Sequence, residues 1–438
     1  MILSQRGQTE AALAGFQKAV ELRPEFVKAR NNLGSMLLDQ GRVDEAITHI
    51  RKALEVLPND ATTNNNLANA LLRKGEADLA IAHYRKALAS EPENVAALNN
   101  LGNVLLQQGR LDEATALFQQ ALKAQPDFAP AHANLAHALV QKQRFREAIA
   151  HFRKSLASRP DDPATHNDLG SALLQVGEEE EAIGHFLKAV EIKPDYEFAQ
   201  LNLGYILLQH GNADEAIVRL RNAIATRPDL APAHYQLANA LLKKGESAAA
   251  ITHFRKTLSL EPAFPNALND LGVALIRDGN TEEAVACFKK VIEAQPDSAE
   301  AHNNLGKIFA QTGRAQDALT HYKAALNLQK DNPDILLNLA WLLATSAEAS
   351  VRNGSYAIFL AQRANQSISE PNPFLLRALA AAFAEAGRFG DAVEVAQQAI
   401  ALAMTYSDTA LVAALRAQLA LYEVGSPFRE PAPVSRPQ

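Results

Sequence analysis

A single cysteine, Cys287, stands in the chain, so neither a disulfide framework nor a thiolate metal site can form. Long apolar runs are missing too. Nowhere do about 18 apolar residues follow one another, which excludes a membrane-spanning helix by length. The opening MILSQRGQTE lacks the apolar core of a secretory signal. Basic charge is not in excess: Lys and Arg number 43 against 49 Asp and Glu, a formal net charge of −6. A nucleic-acid backbone as partner calls for the opposite balance. Aromatic residues are 6% of the chain, sparse for a surface on which bases would stack. The spacings GxGxxG, P-loop, HExxH and GxSxG do not occur, which removes the usual phosphate cradle, zinc pair and nucleophile elbow. What remains is a chain that is 47% hydrophobic and 21% charged, a composition that folds.

Proline is where the pattern lies. Pro24, Pro58, Pro92, Pro126, Pro160, Pro194, Pro228, Pro262 and Pro296 recur every 34 residues. A fixed period of this size marks stacked copies of one small unit and overrides the several globular domains that 438 residues would otherwise suggest. With the proline as position 32, the first complete copy is 27–60. Position 7 is then leucine (Leu33, Leu67, Leu101, Leu135 and onward), and position 8 is Gly or Ala. Position 20 is alanine (Ala46, Ala80, Ala114, Ala148), and position 24 is large and apolar (Ile50, Tyr84, Phe118, Phe152). Positions 7 and 11 share one helical face, and 20, 24 and 27 share another. Small residues at 8 and 20 allow two helices, A and B, to approach closely. Glycine at position 15 (Gly41, Gly75, Gly109, Gly177) is placed to end helix A in the left-handed conformation. Acids open helix B, as at Asp44–Glu45, and lysines come near its end, both suiting the helix dipole. Proline at 32 stops helix B. The unit is a helical hairpin.

These columns resemble the tetratricopeptide repeat (TPR) family: the Leu–Gly/Ala pair at 7–8, Gly at 15, Ala at 20, an aromatic at 24 and Pro at 32. The resemblance implies an all-α fold, a right-handed α-solenoid superhelix of TPR hairpins. Nine in-register copies cover 27–332. The family's usual large aromatic at position 4 is replaced here by Arg30, Asn64, Leu98, His132 and others. Residues 1–26 carry only the later part of a repeat, with Gly7 at position 15, so they are expected to be a partial TPR, helix B of a truncated copy. From this the chain is expected to be an N-terminally truncated fragment. After Pro296 the beat fails, and 333–406 reads as two divergent TPR-like repeats, with Trp341, the only tryptophan, at position 9 of the first. Leu411, Leu415, Leu419 and Tyr422 on one face make 407–425 a C-terminal capping helix. The remainder, 426–438, is expected to be a disordered Pro-rich tail. The NLAWLLAT and FREPAP segments also resemble the ends of bacterial TPR arrays, including arrays attached to membrane glycosyltransferases.

Histidine recurs in two columns. His49, His83, His151, His185, His253 and His321 fall on position 23, and His132, His166, His234 and His302 on position 4. Neighbouring repeats lie about 10 Å apart, whereas a metal–nitrogen bond is about 2 Å. Histidines one repeat apart cannot share an ion, and they read as packing or surface residues. No catalytic site, metal or cofactor is expected.

In arrays of the family, positions 2, 5, 6, 9 and 13 of helix A face a concave groove. Position 6 here reads Asn32, Asn66, Asn100, Asn134, Asp168, Asn202, Gln236, Asp270, Asn304 and Asn338, and position 5 adds Asn31, Asn65, Asn99, Asn167, Asn269 and Asn303. Position 13 is largely Gln or basic. An amide offers both a donor and an acceptor, as a peptide unit does. An extended peptide advances about 3.3–3.6 Å per residue, so one asparagine per repeat would meet it about every third residue. The array resembles in this respect the TPR arm of O-linked N-acetylglucosamine transferases. The two-carboxylate clamp of chaperone-binding TPRs does not fit, because position 5 holds no lysine and position 6 nothing basic.

The expected function is a non-enzymatic scaffold binding extended segments of partner proteins, with no nucleic acid and no membrane insertion by this chain. The alternative is the substrate-recruiting arm of a larger, membrane-attached protein glycosyltransferase whose catalytic part lies elsewhere. Cytoplasm is the default location, or the soluble part of a membrane-anchored protein under the alternative. Partner identity, biological process and oligomeric state are not readable from the sequence.

Overall fold

A computed structural model describes residues 2–264, 266–368 and 371–431, with residues 2–8 given by backbone alone. Among these residues the chain is all-α, with twenty-four helices and no strand. It divides into two compact units, one of 1–210 with 225–227 and one of 211–224 with 228–438. In the first, helices A and B alternate as Val27–Asp39 and Val43–Val56, Ala61–Arg73 and Ala77–Ser90, Val95–Gln107 and Leu111–Ala124, and onward. The second continues the alternation to Ala299–Gln311 and Ala315–Leu328. Within each unit a helix packs on its successor, and helix A also touches helix A of the next repeat. The outward faces of the A helices therefore form a strip along each unit.

The local chemistry of each hairpin follows the columns. Position 15 is left-handed: Gly41, Gly75 and Gly109 have φ of 78, 86 and 73°. Behind it the next amide reaches back to position 11, as Arg42 N to Leu37 O at 2.9 Å and Glu76 N to Leu71 O at 2.9 Å. This bond satisfies a carbonyl that the helix end leaves open. In the one regular repeat without this glycine, Gln143 takes φ of 58°, at about 1–2 kcal/mol for an L-residue. Between the two helices lies the position 24 side chain. Tyr84, Phe118 and Phe186 in the first unit, and Phe254 and Phe288 in the second, are fully buried, each contributing about 2–3 kcal/mol. A Cβ at Gly102 would lie 2.6 Å from the Phe118 ring, so glycine there is a condition of that ring's seat.

The ends depart from the beat. Residues Ile2–Leu22 form one continuous helix, where the truncated-repeat expectation would place a turn at Gly7. A glycine inside a helix costs only about 1 kcal/mol relative to alanine, which does not stop the helix at Gly7. At the other end, Pro333–Thr345 pairs with Gly354–Ser367 and Pro373–Glu385 with Phe389–Thr405, followed by Thr409–Glu423. A Cβ at Gly354 would come within 2.6 Å of Ala386 N; only glycine permits that approach. The last helix stops at Gly425, φ 72°. Residues 426–431, which the sequence assigned to a disordered tail, run back against the Pro333–Thr345 helix. Residues 432–438 lie outside the described residues. No described helix is long and apolar enough to cross a membrane.

Candidate functional site

Position 4, where the large aromatic is missing, ties the hairpin to the turn before it wherever it is polar. Its side chain donates to the carbonyl of the periodic proline six residues earlier: Asn64 to Pro58 at 3.0 Å, His132 to Pro126 at 2.9 Å, His166 to Pro160 at 2.9 Å, Gln200 to Pro194 at 2.8 Å and His234 to Pro228 at 3.1 Å. Arg30 bonds Pro24 in the same way. With Nε2–H used there, the histidine's Nδ1 is left as an acceptor, and position 23 of the same repeat supplies the donor. Nδ1–Nδ1 distances are 2.9 Å in His132–His151, His166–His185, His234–His253 and His302–His321. His83 meets Asn64 Oδ1 at 2.9 Å in the same arrangement. Burial, reinforced by His132, pulls His151 down to about 4, and burial lowers His185, His253 and His321 as well. The spacing argument considered only histidines one repeat apart; the partners are within a repeat. Where position 4 is apolar, so is its neighbour: Leu98 with Leu117, and Leu268 with Cys287. Among the described residues no three His, Cys, Asp or Glu side chains gather as a metal site.

The asparagines of positions 5 and 6 form a ladder, and its rungs join repeat to repeat. In the first unit Asn66 Nδ2 donates to Asn31 Oδ1 at 3.0 Å, Asn100 to Asn65 at 3.2 Å, Asn134 to Asn99 at 3.0 Å and Asn202 to Asn167 at 2.9 Å. In the second, Asn304 donates to Asn269 at 3.5 Å and Asn338 to Asn303 at 3.1 Å. Asn31, Asn65, Asn99, Asn167 and Asn303 are buried at 6–8% exposure. Asn32, Asn66, Asn100, Asn134, Asn202, Asn304 and Asn338 are half-buried. Asn32 makes no such bond among the described residues.

The sequence carries a rule that explains these rungs. Position 6 is asparagine wherever position 5 of the preceding repeat is asparagine, and departs from it at Asp168, Gln236 and Asp270, after Ala133, Leu201 and Tyr235. Two of the departures show their replacement partner. Asp168 meets His137 Nε2 at 2.7 Å, and Asp270 accepts from the Tyr235 hydroxyl at 2.6 Å. Burial raises Asp270 above the usual carboxylate range and pushes Tyr235 up to about 12. The covariation could have revealed the inter-repeat bond before any coordinates; position 9, which supplies His137, was the missing column.

Each rung uses the position 5 oxygen and a position 6 proton. Some of the remaining groups are also taken: Asn65 Nδ2 donates to Asn66 Oδ1 at 3.5 Å, Asn167 Nδ2 to Asp168 at 3.2 Å and Asn269 Nδ2 to Glu300 at 2.9 Å. Asn31, Asn99 and Asn303 Nδ2, and Asn100, Asn134 and Asn202 Oδ1, bond nothing further among the described residues. The Asn99–Asn134 and Asn303–Asn338 rungs thus present a donor beside an acceptor. Position 13 flanks the strip. Gln107, Gln141, Gln175 and Gln311 are exposed, whereas Arg73 bonds Leu38 O and Arg277 bonds Leu242 O at 3.2 Å, closing the end of the preceding helix A.

At the C-terminal end the same positions carry other chemistry. Trp341 at position 9 lies under the Arg377 guanidinium, 4.4 Å from the ring centroid. Glu385, at position 13, pairs with Arg352 at 3.0 Å.

Models of the tetratricopeptide repeat match residues 25–90, 65–128, 105–164, 139–203, 235–293 and 269–335, and a TPR repeat model matches 204–245. Together they run from 25 to 335. A comparison with curated proteins finds no match. Among solved structures the chain is similar to PilF of Pseudomonas aeruginosa, at 26% identity over 50% of this chain and 99% of that one, TM-score 0.46. It is also similar to yeast Tom70, at 15% identity over 92% and 96%, TM-score 0.40. YrrB, a TPR protein with an unusual peptide-binding site, shares 24% identity over 43% and 96%, TM-score 0.36.

Proposed function

Because the chain belongs to the tetratricopeptide-repeat family, whose arrays are protein-interaction scaffolds, we propose that it holds extended segments of partner polypeptides along the strip of A helices. The observation that carries this reading is the donor and acceptor left over on the Asn99–Asn134 and Asn303–Asn338 rungs, with one of the two left on the others. A peptide unit has the complementary pair, and the inter-repeat bonds fix the amides in orientation before any ligand arrives. Preorganised groups lose little entropy on binding. Contacts to the backbone rather than to side chains suit partners of varied sequence, with affinity accumulating along the strip. In this reading the chain's work is binding and not catalysis.

The test is fluorescence anisotropy of labelled unstructured polypeptides against the full chain. Asn66→Ala/Asn100→Ala/Asn134→Ala should bind at least about tenfold more weakly, a loss of about 1.4 kcal/mol. Those changes also remove inter-repeat bonds, so a second variant is needed. Gln107→Ala/Gln141→Ala touches exposed residues that bond no neighbouring repeat among the described residues, and should weaken binding with an unchanged melting temperature. Wild-type affinity in both variants would remove the strip as the binding surface.

A further inference from the structure

Beyond Gly425 the chain doubles back. The Ser426 amide closes the last helix on Leu421 O at 2.9 Å, and residues 426–430 then run without regular structure, yet half-buried. Phe428 packs into the cluster of Ala380, Phe383, Ala384 and Tyr422, its ring 5.9 Å from Trp341. Arg429 pairs with Glu385 and donates to Ala344 O at 3.3 Å. The Glu430 amide donates to Thr345 O at 2.9 Å, and its carboxylate accepts from Trp341 Nε1 at 2.7 Å. Arg377 is the basic group beside that carboxylate.

The segment has the features of a bound extended peptide: an aromatic anchor in a pocket, an arginine paired with a carboxylate, a carboxylate held by an indole N–H, and a main-chain hydrogen bond. The receiving groups sit at helix A positions 5, 9 and 13 (Arg377, Trp341, Thr345 and Glu385), the columns that line the strip elsewhere. Pro427 and Pro431 flank the segment and limit the freedom it loses on docking.

We propose that this face is a recognition site for extended segments of aromatic–Arg–Glu–Pro chemistry, occupied in cis by residues 426–431, and that a partner segment of that pattern binds by displacing them. The proposal rests on the reading that A-helix faces hold extended polypeptide, but concerns this end alone. The tether is short, so the tail competes at an effective concentration of about millimolar. A partner segment must therefore bind well, be abundant, or gain a second hold elsewhere on the strip.

Trp341 is the only tryptophan and touches the tail directly, so its fluorescence reports occupancy. The experiment compares the full chain with full-length Phe428→Ala/Arg429→Ala/Glu430→Ala, adding the synthetic peptide SPFREPAP. In the variant, Trp341 emission should shift to the red and acrylamide quenching should rise, and the peptide should reverse both. The wild-type chain should respond at least about tenfold more weakly, since its site is filled. Arg429→Ala/Glu430→Ala keeps the Phe428 anchor and should show an intermediate shift, which guards against loss of folding in the triple variant. Identical Trp341 spectra in wild type and variants would overturn the proposal. So would equal peptide binding to both, or concentration-dependent self-association that the variant abolishes, since the tail would then come from a second copy. The asparagine variants tested above leave Trp341 untouched, so either idea can fail alone.

Discussion

Between Val27 and Gln209 the A-helix strip bonds to itself, the position 6 amides of Asn66, Asn100, Asn134 and Asn202 each reaching position 5 of the repeat before. At Trp341 and Glu385 the corresponding positions bond to an extended segment of the chain itself. One scaffold thus supports two kinds of lining. An amide rung can bond its neighbour and still keep a donor and an acceptor, because each asparagine has more groups than the rung uses. The Trp341 indole and the Arg377 guanidinium stack on each other across one repeat, but their N–H groups find acceptors outside the repeats, Trp341 at Glu430 and Arg377 at Gln418. The difference teaches that regular repeats give a uniform amide lining, and that aromatic and charged groups enter the same positions where the repeat pattern decays.

The comparison breaks most severely if the support beneath the rungs is removed. Phe118→Ala should cost about 3–5 kcal/mol in thermal or denaturant unfolding. Coupling in an array runs mainly between neighbours, so Trp341 emission should keep its native position below the transition. A Trp341 shift in the folded variant would show that the two regions are not separable. Next in size is Glu385→Ala, which strips Arg352 and Arg429 of their shared anion. A destabilisation of about 1.5–3 kcal/mol, with increased exposure of Trp341, should appear together. A smaller effect sharpens the ladder side: the Asn99/Asn134 double-mutant cycle should show about 0.5–1.5 kcal/mol of coupling. Asn134 and Asn303, which share no bond, should be additive.

The smallest effect concerns pH. His151 is held near 4 in the fold by burial first and by His132 second, and its unperturbed value is 6.5. The unfolded chain therefore takes up protons that the fold refuses. Stability is fully present above about 6.5, falls as pH drops towards about 4, and levels off below. The other paired histidines lowered by burial act in the same direction. His132→Asn reproduces the Asn64–His83 pairing and should flatten part of that slope, read as unfolding midpoints across the pH range.

The hairpin was fully legible in the sequence. Gly at 15, Ala at 20 and the ring at 24 are each imposed by a steric condition that every repeat must meet, so every repeat states it again. The asparagine columns were legible as a strip, but the bond from Asn134 to Asn99 was not, although Asp168 after Ala133 and Asp270 after Tyr235 record it. Reading one column at a time hides a contact made between columns. The histidine pairs were missed for a similar reason: position 4 on helix A and position 23 on helix B meet only after the hairpin folds. The tail was beyond reach from composition, because proline-rich segments are disordered unless something receives them, and Trp341 and Arg377 lie far away in sequence. At the other end, Gly7 signalled a turn, but the helix runs through it, since one interior glycine is a weak breaker.

That partner polypeptide lies along the A-helix strip is open to site-specific photocrosslinking. A photoreactive residue replaces exposed Gln107 or Gln141 on the strip, or exposed Gln119 on helix B, and an unstructured polypeptide is added. The account predicts crosslinks from 107 and 141 that spread over the polypeptide's length and weaken in the asparagine variant, with none from 119. Equal crosslinking from 119, or none from the strip while binding persists, would contradict it.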